Sequence, residues 1–160
     1  MLGGIASGKS AFAEGLLNGF ADRRYFATAQ AFDDEMKVKI AKHQSDRGTD
    51  WITVEAPRHL PNAISEHAAY PALADCLTLW LSNLLLEEAE LEPEFEALKA
   101  AITGHQSTLV IVSNEVGTSP VSMNALGRKY QNAQGRLNQE IAAIADKVYL
   151  VTAGLPMVLK

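Results

Sequence analysis

Eight residues near the start of the chain, Gly3-Gly4-Ile5-Ala6-Ser7-Gly8-Lys9-Ser10, follow the pattern Gly-x4-Gly-Lys-Ser. The pattern has a chemical logic. Glycines permit the positive dihedrals that turn successive backbone N–H groups inward around phosphate oxygens, and Gly3, Gly4 and Gly8 supply them. Lys9 reaches the terminal phosphates and the Ser10 hydroxyl ligates magnesium, while a helix behind the loop points its N-terminal dipole at the anion. These roles converge on one ligand, a nucleoside polyphosphate, and on chemistry that moves phosphoryl or nucleotidyl groups. The bland alternative is a glycine-rich turn with an exposed lysine. Against it stands an amphipathic pattern that begins where the motif demands a helix.

A magnesium site takes a second ligand from a carboxylate at a strand end, and Asp75, inside the apolar run Ala72 to Leu77, is the candidate. An unpaired aspartate in such a run is costly, so a ligand or a hydrogen-bonded partner is expected for it. The histidines say less. His43 closes a helical pattern, where a histidine is more often a surface or capping residue, and spacing alone does not select it for catalysis. His59, His67 and His105 have neither metal-ligand spacing nor a motif and read as surface or partly buried residues, so zinc is not expected. Asn114 and Glu115 follow a buried strand, which is where open α/β sheets place ligands, although a plain turn fits equally. Arg136 reads either as a phosphate contact or as an ordinary solvent-facing residue.

These groups need elements to hold them, and the chain alternates short β-branched or aromatic runs with longer helical patterns. That alternation predicts an α/β domain with a largely parallel sheet. Phe12, Leu16 and Phe20 recur at helical spacing behind the loop, with Gly19 as the helix end. Tyr25 to Thr28 reads as a strand, and Asp33 opens an amphipathic helix with Met36, Ile40 and His43 on its face, ended by Arg47-Gly48-Thr49. Trp51 to Glu55 alternates like a strand, Pro57 opens a short helix, and Ala72 to Leu77 suits a central strand. Helices are expected over Leu79 to Glu88, Glu94 to Ile102 and Asn132 to Ala145. Thr108 to Val112 is a buried strand followed by a polar break at Ser113-Asn114-Glu115, and Lys147 to Thr152 with Met157 to Leu159 reads as a closing hairpin. One feature is out of place: only Met1 and Leu2 precede Gly3, so the strand that should lead into the loop reads as missing or truncated, the mark of a late-assigned start or a shortened fragment.

At 160 residues, 48% hydrophobic and 21% charged, the chain has the profile of one soluble globular domain, residues 1–160, with no linker or repeat dividing it. A formal net charge of -5 argues against nucleic acid or an anionic membrane as the main partner, so an anionic substrate must meet a local positive site. The single cysteine, Cys76, excludes an internal disulfide and reads as a buried structural thiol. The longest apolar stretch is too short to cross a bilayer and no secretory pattern opens the chain, so a cytoplasmic location is expected.

Several spaced motifs together resemble one family, adenosylcobinamide kinase/adenosylcobinamide-phosphate guanylyltransferase. They are the Gly3 to Ser10 loop, Ala27-Thr28-Ala29-Gln30, Asp33-Asp34-Glu35-Met36, Ile40-Ala41-Lys42-His43-Gln44, Ser113-Asn114-Glu115-Val116-Gly117 and Gly135-Arg136-Leu137-Asn138-Gln139, so the likeness runs from Gly3 to Lys160. The resemblance implies a RecA-like P-loop NTPase fold and an enzyme of cobalamin assembly and salvage. Such an enzyme phosphorylates the aminopropanol hydroxyl of adenosylcobinamide and then transfers GMP from GTP to that phosphate, giving adenosylcobinamide-GDP. It implies GTP, ATP and Mg2+ as nucleotides and metal, and a homo-oligomer, a trimer. In the family a histidine attacks the α-phosphate of GTP, and His43 holds that position; Lys9 is the loop's catalytic lysine. Nucleotide contacts carry over to the loop, to Thr28, Ala29 and Gln30, to Gln44, Ser45, Asp46 and Arg47, to Glu55 and to Asp75, with Ser10 and Asp75 on the metal. At this last position the family more often has glutamate, and the shorter aspartate suits a contact through water. The family's arginine-aspartate pair near Tyr130 to Gln134 is Gln131-Asn132 here, and Thr118 to Met123 also departs from its pattern, so corrinoid contacts are not carried over to that segment.

Three other readings remain open at this level. A P-loop kinase with another small acceptor would leave His43 structural. A regulatory GTPase would need Asn-Lys-x-Asp and Asp-x-x-Gly motifs, and the sequence contains neither. A nucleotide-binding protein without catalysis is the third.

Overall fold

The computed structural model describes residues 1–30 and 50–160. The helix expected from Asp33, and with it His43 and Gln44 to Arg47, lies outside the described residues.

Among the described residues seven strands form one sheet in the order β3-β2-β4-β5-β1-β6-β7. They are β1 (Leu2–Gly3), β2 (Arg23–Ala27), β3 (Trp51–Glu55), β4 (Ala72–Asp75), β5 (Leu109–Asn114), β6 (Tyr149–Thr152) and β7 (Leu155–Val158). All neighbours pair in parallel except β6 and β7, which form the antiparallel hairpin expected at the end of the chain. The helices are α1 (Lys9–Gly15), α2 (Leu60–Glu66), α3 (Leu77–Leu86), α4 (Leu91–Thr103) and α5 (Ala125–Ile144). This is the α/β architecture of a P-loop NTPase.

Alternation along the strands sends side chains to two faces. Tyr25, Leu73, Val110 and Val112 pack against Ala13 of α1 and Leu17 of the turn that follows it. Phe26, Ala72 and Ala74 pack on the opposite face against Leu60 and Ile64 of α2, Trp80, Leu81 and Leu84 of α3, Phe95 and Leu98 of α4, and Leu137 and Ile141 of α5. Each of the fully buried leucines among them contributes about 1.5–3 kcal/mol relative to exposure. Because α1 and α5 lie on opposite faces, the connections after the neighbouring strands β1 and β5 leave in opposite directions. Open α/β sheets bind ligands at such a point, outside the carboxyl ends of the strands.

The strand that read as missing or truncated is two residues long and lies at its central place, between β5 and β6. Leu2 and Gly3 pair with Ser113 and Asn114 on one side and with Leu150 and Val151 on the other. That pairing keeps β5 in the ladder through Asn114, so Ser113 and Asn114 belong to the strand and not to a break after it. Helix α1 ends at Gly15, before the expected Gly19, because Leu17 and Asn18 turn back onto Glu14 and Gly15; Gly19, at φ 93°, closes that turn. Pro61, not Pro57, stands in the first turn of α2. Helix α5 begins seven residues before the expected Asn132, since Asn124 caps it by accepting from Gly127 N at 2.6 Å.

Candidate functional site

The loop leaves the sheet at Gly3 and re-enters regular structure at Lys9. Gly3 has no room for a side chain: a Cβ would stand 2.5 Å from Ser7 Oγ and 2.6 Å from the Val151 carbonyl oxygen. Gly8 precedes α1 at φ 92°, and a Cβ there would meet Gly154 Cα at 3.0 Å. Ala6 also takes a positive φ of 55°, a conformation that costs an L residue about 1–2 kcal/mol. Three backbone bonds hold this shape: Ser7 N donates to Gly4 O at 3.3 Å, Phe12 N to Gly8 O at 3.1 Å, and Gly154 N to Ser7 O at 2.8 Å. The last comes from the β6–β7 turn, so the hairpin braces the loop from the side. Gly4, Ile5, Ala6 and Gly8 are exposed, while Ser7 and Ser10 are half-buried.

Lys9 is buried, and its Nζ donates to Gly4 O at 2.8 Å. Burial lowers its pKa below the ordinary lysine range, with Cys76 and the Asp75 carboxylate acting in the opposite direction. Asp75 ends β4, where its Oδ2 accepts from Tyr25 Oη at 3.0 Å, the hydrogen-bonded partner that its apolar surroundings call for. The next residue, Cys76, is buried as expected, and burial pushes its thiol pKa up. Thr28 is fully buried; its Oγ1 accepts from Cys76 N at 2.7 Å and donates to Cys76 O at 2.8 Å. Asn83 adds a third tie by donating to Thr28 O at 3.0 Å and to Pro57 O at 2.8 Å. Thr28 therefore fastens the ends of β2 and β4 together, with Ala29 and Gln30 half-buried behind it.

Register aligns Glu55, Ala27, Asp75 and Val112 in one row, and Gly3 and Asn114 extend it at the neighbouring strand ends. Glu55 is exposed. Asn114 N donates to Thr78 Oγ1 at 2.8 Å, and Asn138 donates to Asn114 O at 3.0 Å. Glu115 N donates to Gly3 O at 3.0 Å, which joins the two loops directly. Burial works against the Glu115 carboxylate, but bonds from Thr118 and Gly117 outweigh it and hold the group below the usual carboxylate range. Arg136 is elsewhere: it pairs with Glu92 at 2.8 Å and lies 4.9 Å over the Phe95 ring, where α4 meets α5. His59 is exposed, His67 lies beside Phe26 and Tyr70, and His105 Nε2 bonds with Tyr70 O at 3.1 Å.

The structure thus brings the loop, Lys9, Thr28 to Gln30, Glu55 and Asp75 to one edge of the sheet. Sequence reasoning missed Tyr25, Thr78 and Gly154. Gly154 carried a signal as a turn glycine, but its contact with the loop depends on β6 lying beside β1. Among the described residues no three of His, Cys, Asp and Glu gather as a metal group. The Ser10 hydroxyl and Asp75 carboxylate are hard oxygen donors of the kind that hold Mg2+ together with water and phosphate oxygens.

A family model described as cobinamide kinase / cobinamide phosphate guanyltransferase matches residues 1–159. The chain is 42% identical to the bifunctional adenosylcobalamin biosynthesis protein CobP of Pseudomonas aeruginosa, over all of this chain and 95% of that protein. It is 35% identical to the bifunctional adenosylcobalamin biosynthesis protein CobU of Salmonella typhimurium and 34% identical to that of Escherichia coli, each over 99% of this chain and 97% of the relative. With the phosphate loop, its strand order and these full-length matches in agreement, the chain belongs to the cobinamide kinase / cobinamide phosphate guanyltransferase family.

Proposed function

We propose that this protein phosphorylates adenosylcobinamide and then transfers GMP from GTP to the adenosylcobinamide phosphate, yielding adenosylcobinamide-GDP. The observation that carries this reading is the phosphate loop itself, in a chain matched along its length by bifunctional relatives: buried Lys9 and the braced Gly3 to Gly8 turn sit on the strand edge that also carries Asp75. In the kinase step the aminopropanol hydroxyl attacks the γ-phosphorus of ATP or GTP and the nucleoside diphosphate departs. Loop amides and the Lys9 ammonium stabilise the charge that develops on the transferring group. Ser10 and Asp75 would hold Mg2+, which when bound neutralises phosphate charge. Tyr25 keeps the Asp75 carboxylate in position, and Thr28 and Asn83 keep the strand ends in register.

In the transferase step a His43 ring nitrogen attacks the α-phosphorus of GTP, forming a phosphoramidate and expelling pyrophosphate. A phosphate oxygen of the acceptor then attacks the same phosphorus and returns the imidazole. Ala29, Gln30, Gln44, Ser45, Asp46, Arg47 and Glu55 serve as nucleotide contacts, and Thr28 acts through the backbone it fixes. The protein works as one domain, residues 1–160, in a homotrimer in the cytoplasm; no helix among the described residues is long and apolar enough to cross a membrane. Incubation with GTP labelled at the α-phosphate tests the reading. An acid-labile label is expected on wild type and none on His43→Ala; an unlabelled wild-type protein would leave only a kinase.

A further inference from the structure

Strand β5 sends side chains to both faces of the sheet, and at its end the two faces differ. Ser113 follows Ile111 on the helical side, where its Oγ donates to Asn138 Oδ1 at 2.6 Å and accepts from Gln134 Nε2 at 2.9 Å. Asn114 continues the other row, after Val110 and Val112, on the face that α1 covers. Tyr25, and with it the Asp75 carboxylate it holds, belongs to that same face. Asn114 lies two residues beyond Val112, the register partner of Asp75, and pairs with Gly3 where the phosphate loop begins.

The Asn114 backbone is committed: N donates to Thr78 Oγ1 at 2.8 Å and O accepts from Asn138 at 3.0 Å. Its side chain is not. Oδ1 is buried without a hydrogen-bond partner, and among the described residues the NH2 donates to none. Nearby polar groups are already spent, Asp75 on Tyr25, Thr28 on Cys76, and Glu115 on Gly117 and Thr118. An unbonded amide end in a folded interior is rare, and a group kept for a ligand is one cause. Position names the ligand. Lys9 is tied to Gly4 on one side of β5 and acts with Asp75 on the other, so its ammonium spans the end of the strand that Asn114 closes. Loop amides and the start of α1 cradle the inner phosphates, and the lysine reaches the outer ones. We infer that the Asn114 side-chain NH2 donates to an oxygen of the γ-phosphate, so that this amide distinguishes a bound nucleoside triphosphate from a diphosphate. A neutral donor suits the place: it grips the phosphate that is transferred and holds nothing of the diphosphate that must leave. The inference rests on the nucleotide site proposed above.

Calorimetric titration with Mg2+ present tests it, using the β,γ-imido analogues of ATP and GTP as triphosphates and ADP and GDP as diphosphates. Wild type is compared with Asn114→Ala and with Asn114→Asp, which keeps the shape and puts an anion beside the phosphate. Diphosphate affinity should be unchanged, with triphosphate affinity lowered about tenfold in the first variant and further in the second. A merely structural asparagine would lower both affinities together. That outcome, unchanged affinity for both classes, or loss of the urea unfolding transition in both variants would overturn the inference. A wild type that binds neither class would overturn the phosphate-loop reading, and the inference with it. A wild type that binds both classes and forms no adenosylcobinamide phosphate from ATP or GTP would end the kinase reading and leave the Asn114 contact standing.

Discussion

At the scale of single residues, the site depends on groups with no freedom to change. Gly3 is bounded by Ser7 Oγ and Val151 O, so Gly3→Ala should destabilise the fold by about 1–3 kcal/mol through overpacking, seen as a lower urea midpoint at constant slope. Lys9 is the positive charge at the loop, and Lys9→Ala should lower turnover in the kinase assay about 10²–10³-fold. Its pH dependence has a defined sign. The protonated amine is the form that binds phosphate, and burial lowers its pKa, so in calorimetric titrations nucleotide affinity should begin to fall below the ordinary lysine value of 10.5. An alkaline limb at or above that value would contradict the burial. These residues were legible because the loop pattern is local: eight consecutive positions specify it. Asp75 was legible too, since a carboxylate in an apolar run needs a partner. That the partner is Tyr25, 50 residues away, was not, because only the pairing of β2 with β4 brings them together.

At the scale of elements, the site is a set of strand ends kept in register. Thr28 spends its hydroxyl on both backbone groups of Cys76, so Thr28→Val leaves a buried N–H and a buried carbonyl without that partner. A loss of about 1–3 kcal/mol in urea unfolding is expected, together with weaker nucleotide binding as Asp75 loses its support. The hairpin β6–β7 and the loop are coupled in the same way. Gly8→Ala adds a Cβ 3.0 Å from Gly154 Cα at a positive φ, and nucleotide affinity should fall about tenfold in calorimetry. Strand and helix types were readable from apolar periodicity, and Trp51 to Glu55 matched its strand at both ends. The ends that shifted did so for tertiary reasons. Strand β5 continues through Ser113 and Asn114 because β1 pairs there, and α5 starts early because Asn124 and the loop bonds of Arg128 and Gln131 support a first two turns that lack an apolar stripe.

At the scale of the whole molecule, the strand order decides which side chains meet. Strand β5 lies between β1 and β4, and α1 and α5 cover opposite faces, so the phosphate loop and Asp75 open onto the same edge with β5 and its loop between them. None of this order can be read from local periodicity. For Arg136 the sequence allowed two readings, and the structure shows an exposed, ion-paired side chain. Its contacts with Glu92, Glu140 and Phe95 place it on the helical side between α4 and α5. Arg136→Ala should leave turnover unchanged and lower stability by less than about 1 kcal/mol, as for other solvent-exposed ion pairs. Of the two proposed reactions, the first phosphorylates adenosylcobinamide and the second acts on the phosphate so formed, and the proposed covalent GMP on His43 is the step that would separate this protein from a simple kinase. The most direct measurement is a chase: protein treated with GTP, freed of all unbound nucleotide, is mixed with adenosylcobinamide phosphate in a single turnover. Adenosylcobinamide-GDP should form in proportion to the GMP carried by the protein, as that label disappears. A label that persists while no product forms would contradict the account.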